Sequence, residues 1–137
     1  ICGPSGYGCE QVEAAAATTE NVVFLSYVPD AELNWLYDNA EAFVLPSLIE
    51  GFGIPSLEAA RRGLLPIISK DPALQEVSGG LAITIADLTP GAFTVAFREF
   101  LALSDEEKAS RIAAIVAQGD NYSFQNFVGN WRQALSL

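Results

Sequence analysis

Short runs of apolar residues alternate with stretches of helical periodicity along the chain as far as Ile85. Unbroken apolar runs are typical of strands that a parallel sheet buries on both faces. They predict five strands, at Ile1–Gly3, Val22–Leu25, Ala42–Pro46, Leu65–Ile68 and Ala82–Ile85. Strands that alternate with helices indicate the α/β class, here a Rossmann-like three-layer sandwich with a parallel sheet and right-handed crossovers.

Helices are predicted between these strands. The alanine-rich stretch Cys9–Thr19 predicts the first, with Val12 and the alanines facing the sheet. Asp30 is a favourable N-cap for the second helix, whose inner face carries Leu33, Leu36 and Tyr37. Two more helices are expected, one opening at Ile54–Pro55 and a short one at Ala73–Val77.

Beyond Thr89 the pattern is helical throughout. Apolar residues at helical spacing between Pro90 and Leu103 predict a stripe that faces the core, made of Phe93, Phe97, Phe100 and Leu101. Ser104 with the acidic residues after it is a capping signature for the next helix, and Ser123 is predicted to cap the last. That last helix carries Phe124, Phe127, Trp131 and Leu135.

Composition limits the classes of function. Half of the 137 residues are hydrophobic, which is enough for a core, and residues 1–137 are predicted to form a single domain. The net charge of −10 argues against nucleic acid and against an acidic membrane surface as the main partner. No apolar run is long enough to span a membrane. The lack of methionine, and a start at Ile1 that resembles the end of a strand, predict a part of a larger protein.

The sequence contains no histidine, and Cys2 and Cys9 are its two cysteines. The usual zinc sites and the Ser-His-Asp and Cys-His catalytic groups all require histidine or further cysteines. Both thiols are predicted to be free, with a disulfide between them as the alternative. No metal site is predicted.

The most informative stretch runs from Ala42 to Glu58. It predicts a buried strand, a turn at Ser47–Gly53 and then a helix, so that two carboxylates, Glu50 and Glu58, follow the same strand eight positions apart. Gly51-Phe52-Gly53 lies between them. In an open α/β sheet, ligands bind at the carboxyl ends of the strands.

The residue types of this stretch suit one class of ligand. Glycine allows the backbone to approach a ligand closely, and a helix N-terminus offers unpaired N–H groups and partial positive charge to a phosphate. Pro55 is expected at the first helical position, where its missing N–H costs nothing. Carboxylates make strong hydrogen bonds to sugar or ribose hydroxyls. Together these features predict a nucleotide-linked sugar as the ligand.

The string E-G-F-G-I-P-S-L-E, followed by A-A-R-R-G-L-L-P-I-I-S, resembles the E-x7-E motif of the retaining, GT-B-fold glycosyltransferases of family 4. The resemblance extends from about Val22 to Leu135, through F-L-S-Y-V-P-D, L-x-x-L-Y-D-N-A and Y-S-F. It implies the C-terminal, donor-binding half of a two-domain GT-B enzyme, without the first strand and helix of that half. The segment before Ile1 would carry an arginine and a lysine for the donor diphosphate, and a separate domain would bind the acceptor.

The resemblance implies a role for each matching residue. Glu50, the catalytic candidate, would hydrogen-bond the donor sugar, and the N–H groups of Gly51, Phe52 and Gly53 would face that sugar. The helix from Ile54 would face the diphosphate, and Glu58 would hold the ribose hydroxyls. Tyr27 and Val28 would lie on the side of the nucleobase.

Several of these residues have a plain alternative. Glu58 is otherwise a charge favoured by the dipole in the first turn of a helix, and Tyr27 otherwise packs its own loop. Arg61 and Arg62 are predicted to be a solvated face, and Glu76 is interpreted as structural.

The resemblance also implies the partners and the activity. The donor would be a UDP-, GDP- or ADP-sugar, with no metal or other cofactor, and the isolated chain would be inactive. A cytoplasmic location is expected, peripheral at the membrane through the missing domain, and an exposed sheet edge is expected to favour self-association. The alternatives are a nucleotide-sugar epimerase of GT-B architecture and a non-catalytic nucleotide- or sugar-binding module.

Overall fold

The computed structural model describes residues 1–4, 6 and 8–135. Its contacts divide the chain into two compact units, Ile1–Asn39 and Ala40–Leu137. The Gly3–Gly8 loop contains Ser5 and Tyr7, which lie outside the described residues.

The first unit contains two helices, α1 (Cys9–Thr18) and α2 (Asp30–Asn39). The strands predicted at Ile1–Gly3 and Val22–Leu25 are wrong, since the structure has an isolated parallel bridge there, between Cys2 and Ser26, and Ser26 follows the second predicted strand. Val23 is 63% exposed, so this run is not buried on both faces. An apolar run becomes a strand when it pairs along its length, and this one has one short partner within its unit.

Two helical details of the first unit also differ from expectation. Val12 is exposed, and Ala16 is the buried residue of α1, so the prediction that Val12 faces the interior is wrong. Asp30 is the first residue of α2 instead of its N-cap. The inner face of α2 is confirmed, because Tyr37 is buried and Leu33 and Leu36 are half-buried.

The second unit contains a parallel three-stranded sheet in the order β1 (Phe43–Leu45), β2 (Pro66–Ser69) and β3 (Ile83–Ile85). Val44 pairs with Ile67, and Ile68 pairs with Thr84. These strands are three of the five that the apolar runs predict. The α/β class and the parallel sheet are confirmed.

Within its described residues, the second unit contains five α-helices, four of which begin at a capping side chain. They are α3 (Ile54–Arg61), α4 (Pro72–Val77), α5 (Pro90–Ala102), α6 (Asp105–Gly119) and α7 (Phe124–Ala134), with a 3₁₀ turn at Asp120–Tyr122 before α7. Side-chain oxygens that accept from first-turn N–H groups satisfy donors which a helix leaves unpaired. The caps of α4 to α7 are Asp71, Thr89, Ser104 and Ser123.

The core of this unit lies around β2 and β3. Residues without solvent exposure come from both strands and from α4: Ile67, Ile68, Ile83, Ile85 and Leu74. The predicted stripe of α5 is confirmed at Phe100, which is buried, but Leu101 is 72% exposed and Phe97 is also exposed. The expectation for Phe97 and Leu101 is therefore wrong, because α5 buries a narrower face against β3 than its apolar content suggests.

Candidate functional site

The candidate residues of the second unit lie beyond the carboxyl end of β1. Because β1 and β2 are parallel, both strands end at the same edge of the sheet, at Leu45 and Ser69. The chain leaves β1 through residues 46–53 and enters α3, and it leaves β2 through Lys70 and Asp71 and enters α4. Two connections thus meet at the edge where ligands bind in α/β sheets.

Hydrogen bonds join these two connections into a closed circuit. The Ser69 hydroxyl donates to the carbonyl of Ser47 at 2.6 Å and accepts from the N–H of Asp71 at 3.5 Å. The Ser47 hydroxyl donates to Oε1 of Glu50 at 2.6 Å. The circuit closes where the N–H of Glu50 donates to Oδ2 of Asp71 at 3.3 Å. Both the main chain and one carboxylate oxygen of Glu50 are therefore held in place.

Asp71 serves this circuit and α4 at the same time. Its Oδ1 accepts from the N–H of Ala73 at 2.9 Å and from that of Leu74 at 3.3 Å, which caps the helix. Glu50 is half-buried, and its Oε2 has no hydrogen-bond partner among the described residues. A carboxylate fixed through one oxygen presents the other to a hydroxyl donor.

Gly53 determines how the chain turns into α3. Its φ of 89° lies in the left-handed region, which glycine adopts at no steric cost. A Cβ at this position would overlap Cδ2 of Leu74, which is fully buried. Gly53 occupies the N-cap of α3 without a side-chain cap, and its carbonyl accepts from the hydroxyl of Ser56 at 2.7 Å. The chain at the start of α3 thus has no capping side chain that competes for its N–H groups.

Phe52, in the loop after β1, contacts Tyr122, which lies in the 3₁₀ turn before α7. The two rings meet edge to face, with 4.9 Å between centroids and 84° between planes. The Tyr122 hydroxyl donates to Oε1 of Glu76 on α4 at 3.3 Å. Burial, with the Glu76 charge adding to it, raises the pKa of the Tyr122 hydroxyl above its usual value. Tyr122 therefore remains a hydrogen-bond donor at any physiological pH.

The other candidates of this unit lie on α3. Ile54 and Glu58 are both exposed, so a ligand can reach them. Glu58 is the fifth residue of α3, and the first turn of that helix contains no acid. The alternative that explains Glu58 as a first-turn charge is therefore wrong. Pro55 is the second helical residue and not the first, but it still precedes the intrahelical N–H bonds and fits there.

Tyr27 and Val28 belong to the first unit. Tyr27 is 71% exposed, which gives no support to the alternative that it packs its own loop. Val28 is half-buried and contributes with Leu25, Glu32, Trp35 and Leu36 to a cavity of about 210 Å³. Their role on the side of the nucleobase stays a prediction.

Sequence reasoning missed Ser47, Ser69, Asp71 and Tyr122. The capping role of Asp71 could have been predicted, because an aspartate directly before a proline is typical of the N-cap of a helix with proline in its first turn. Its bond to Glu50 depends on the pairing of β1 with β2, which no local pattern reports. The Phe52–Tyr122 contact joins residues too far apart in sequence for spacing to show it.

Residues 1–116 match the family described as Glycosyl transferases group 1. The chain belongs to this family. It is 32% identical over 96% of its length to the O-antigen chain mannosyltransferase RfbU of Salmonella typhimurium, covering 37% of that protein. It is 35% identical over 75% of its length to O-antigen chain mannosyltransferase B of Escherichia coli, covering 27% of it. The match confirms the resemblance to glycosyltransferases and does not favour an epimerase.

A third relative is named a glycosyltransferase instead of a mannosyltransferase. The D-inositol 3-phosphate glycosyltransferase of Corynebacterium urealyticum is 31% identical over 92% of this chain, which covers 32% of that protein. The chain thus spans about a third of the length of these curated relatives.

The fold has a solved counterpart. WaaG, a glycosyltransferase involved in lipopolysaccharide biosynthesis, superimposes with a TM-score of 0.68 at 19% identity over 90% of this chain and 34% of WaaG. The chain therefore has part of a GT-B glycosyltransferase fold, as the resemblance implies. Within the described residues, no helix combines the length and the hydropathy that crossing a bilayer requires.

Proposed function

We propose that this chain is the donor-binding part of a retaining glycosyltransferase of family 4, which moves a sugar from a nucleotide-sugar to an acceptor hydroxyl. The observation that carries the proposal is the circuit of hydrogen bonds that fixes Glu50 beside Gly51–Gly53 and the start of α3. A preformed carboxylate next to the main-chain amides of a glycine-containing loop suits a ligand with both hydroxyls and phosphates. Family membership supports the same reading.

Each part of the site then has one task. Oε2 of Glu50 accepts a hydrogen bond from a hydroxyl of the donor sugar, and the amides of Gly51–Gly53 face the same sugar. The α3 N-terminus faces the diphosphate, and Glu58 accepts two hydrogen bonds from the ribose. Tyr27 and Val28 are the residues proposed for the nucleobase.

The chemistry of transfer places the main demand on the leaving group. The bond between the anomeric carbon and the diphosphate breaks, and negative charge develops on the diphosphate. The acceptor oxygen bonds to that carbon, and the proton of the acceptor hydroxyl passes to the departing diphosphate. Oriented N–H groups and a helix dipole stabilise such charge without reorganising during the reaction. The binding site for the acceptor and further cations for the diphosphate would lie outside these 137 residues. The chain alone therefore binds the donor weakly and transfers nothing.

The relatives suggest which donor to test first. The Salmonella and E. coli proteins are named mannosyltransferases, so a nucleotide-activated mannose is the first sugar. UDP, GDP and ADP forms should be compared, because carboxylates recognise hydroxyls of any nucleotide and do not select the base. A cytoplasmic location, peripheral at the membrane, is part of this proposal.

The proposal predicts different effects for the two glutamates. Glu58→Gln should weaken both the nucleoside diphosphate and the nucleotide-sugar by about tenfold, because a charged acceptor for ribose hydroxyls is lost. Glu50→Gln should weaken the nucleotide-sugar alone by a similar factor. Titration of each ligand into the wild type and both variants measures this.

A matched control is available at the opposite edge of the sheet. Glu41 is exposed and precedes β1, so Glu41→Gln removes an acid without touching the candidate site. A net-charge effect would strengthen the binding of an anionic nucleotide to both variants, so equal losses in the Glu41 and Glu58 variants would show that the loss does not come from a ribose contact of Glu58. Retention of full nucleotide affinity by Glu58→Gln would remove Glu58 from the proposed site.

A further inference from the structure

Phe52 is the side chain between the two glycines of the proposed donor-binding loop, and it is half-buried. Its ring meets Tyr122 in an edge-to-face arrangement at 4.9 Å. Such pairs are attractive beyond the burial of area, because the positive edge of one ring meets the negative face of the other. The contact joins the loop after β1 to the 3₁₀ turn that precedes α7.

Tyr122 is held through its hydroxyl and through the 3₁₀ turn that contains it. Its hydroxyl donates to Glu76 at 3.3 Å, and Gln118 on α6 donates to the carbonyl of the same Glu76 at 3.4 Å. The 3₁₀ turn is braced by Asn126, whose side-chain amide donates to the carbonyls of Asp120 at 3.2 Å and Asn121 at 3.3 Å. The tyrosine ring therefore has a defined position before any ligand binds.

Three residues of the loop thus depend on α4. Glu50 is bound by Asp71 at the start of that helix, and Gly53 lies against Leu74 in its middle. Phe52 is linked through Tyr122 to Glu76, near its end. Phe52 is the one of the three that α4 reaches through another residue.

We propose that Tyr122 is a positioning residue for the donor-binding loop, in which its edge-to-face contact with Phe52 fixes the direction of the Gly51–Gly53 amides. The part of this inference that concerns the donor rests on the proposed function. The part that concerns loop order does not, because it follows from contacts of the unliganded chain.

Amide hydrogen exchange in the unliganded chain tests the inference. Tyr122→Ala should raise the exchange of Phe52 and Gly53 by about two- to tenfold, the range expected for one aromatic pair. Tyr122→Phe keeps the ring and should stay within about twofold of the wild type. Tyr122→Leu, which keeps more bulk, gives the same test if the alanine variant does not fold.

A control separates local from global effects. Phe100 on α5 is buried and its ring contacts Lys108 on α6, so Phe100→Leu lowers stability and leaves both rings of the Phe52–Tyr122 contact in place. When the two variants are compared at equal free energy of unfolding, the loop amides of Phe100→Leu should not show the increase in exchange expected for Tyr122→Ala. An equal increase in both variants, or none in Tyr122→Ala, would overturn the positioning role.

Donor titration then distinguishes this inference from the proposed function. If loop exchange rises in Tyr122→Ala and affinity for the nucleotide-sugar falls by a similar factor, both hold. If exchange rises while affinity is unchanged, Tyr122 still orders the loop, but the loop does not bind the donor and the proposed function fails. Rescue of both measurements by Tyr122→Phe is the expected signature of a ring contact.

Discussion

Gly53 carries more structural constraint than any other residue of the loop. Its positive φ and its contact with the buried Leu74 both exclude a side chain. Gly53→Ala should therefore cost about 2–4 kcal/mol of unfolding free energy, from backbone strain and overpacking together. Denaturant titration measures this cost.

Two other glycines separate the cost of backbone strain from the cost of overpacking. A Cβ on Gly51 meets nothing within 4 Å, so Gly51→Ala should change stability by less than about 0.5 kcal/mol. Gly80 has a φ of 70° but open space around it, so Gly80→Ala should show the strain alone, about 1 kcal/mol. A Gly53→Ala cost no larger than that of Gly80→Ala would mean that the contact with Leu74 relaxes freely.

Glu107 predicts a dependence of stability on pH. Hydrogen bonds from the hydroxyl and N–H of Ser104 lower the pKa of the Glu107 carboxyl below its ordinary value of 4.5. A carboxylate with a lowered folded-state pKa stabilises the fold above its unfolded pKa, and this contribution is lost as pH falls through the folded value. The wild type should thus unfold at a higher temperature than Glu107→Gln near neutral pH, with the difference closing below 4.5.

The control for this titration is Glu106→Gln. Glu106 lies in the same first turn of α6 but does not form the capping box with Ser104. Its removal leaves both hydrogen bonds from Ser104 to Glu107 in place. A Glu107→Gln difference that stays constant down to about pH 2 would contradict the capping role.

Single residues also show which features of the structure the sequence predicts. The glycine and glutamate pattern predicts the loop and the helix after it, because each residue type has one strong local preference. Phe97 and Leu101 are the opposite case, since periodicity gives the angle of a stripe but not how wide a face the neighbouring strand covers.

At the scale of elements, α4 connects stability to the candidate site. Asp71→Ala removes its cap and also frees the N–H of Glu50. It should cost about 0.5–2 kcal/mol of stability and weaken nucleotide-sugar binding by about three- to tenfold. Thermal unfolding and ligand titration of the same variant measure both effects.

Thr89→Ala provides the comparison. Thr89 caps α5 by accepting from the N–H of Ala92, which does not contact the loop. Its removal should cost similar stability and leave donor affinity unchanged. If both variants lose affinity equally, Asp71 acts through general stability and not through Glu50.

Elements also show where prediction stops. Val22–Leu25 and Pro66–Ser69 are similar apolar runs, yet the second is a fully buried strand with partners on both sides and the first is not a strand. The difference lies in what surrounds each run. A local pattern describes the run, while strand formation depends on neighbours distant in sequence.

At the scale of the whole molecule, the chain is about a third of the length of the glycosyltransferases it resembles. The family was predictable because a contiguous motif encodes it, and the α/β fold was predictable because apolar runs alternate with helical periodicity. The circuit around Glu50 was not, because it forms between residues up to 22 positions apart in sequence. Association through the sheet edge stays a prediction.

The most direct test of the account is the mapping of amide chemical shifts during titration with a nucleoside diphosphate and its mannose conjugate. This measurement detects even millimolar binding, about −4 kcal/mol, which is the affinity expected without the rest of the enzyme. We predict saturable shifts at Gly51–Ile54 and Glu58 with both ligands, and an added shift at Glu50 with the conjugate. Saturable shifts confined to other residues, or none at about 10 mM ligand, would contradict the account.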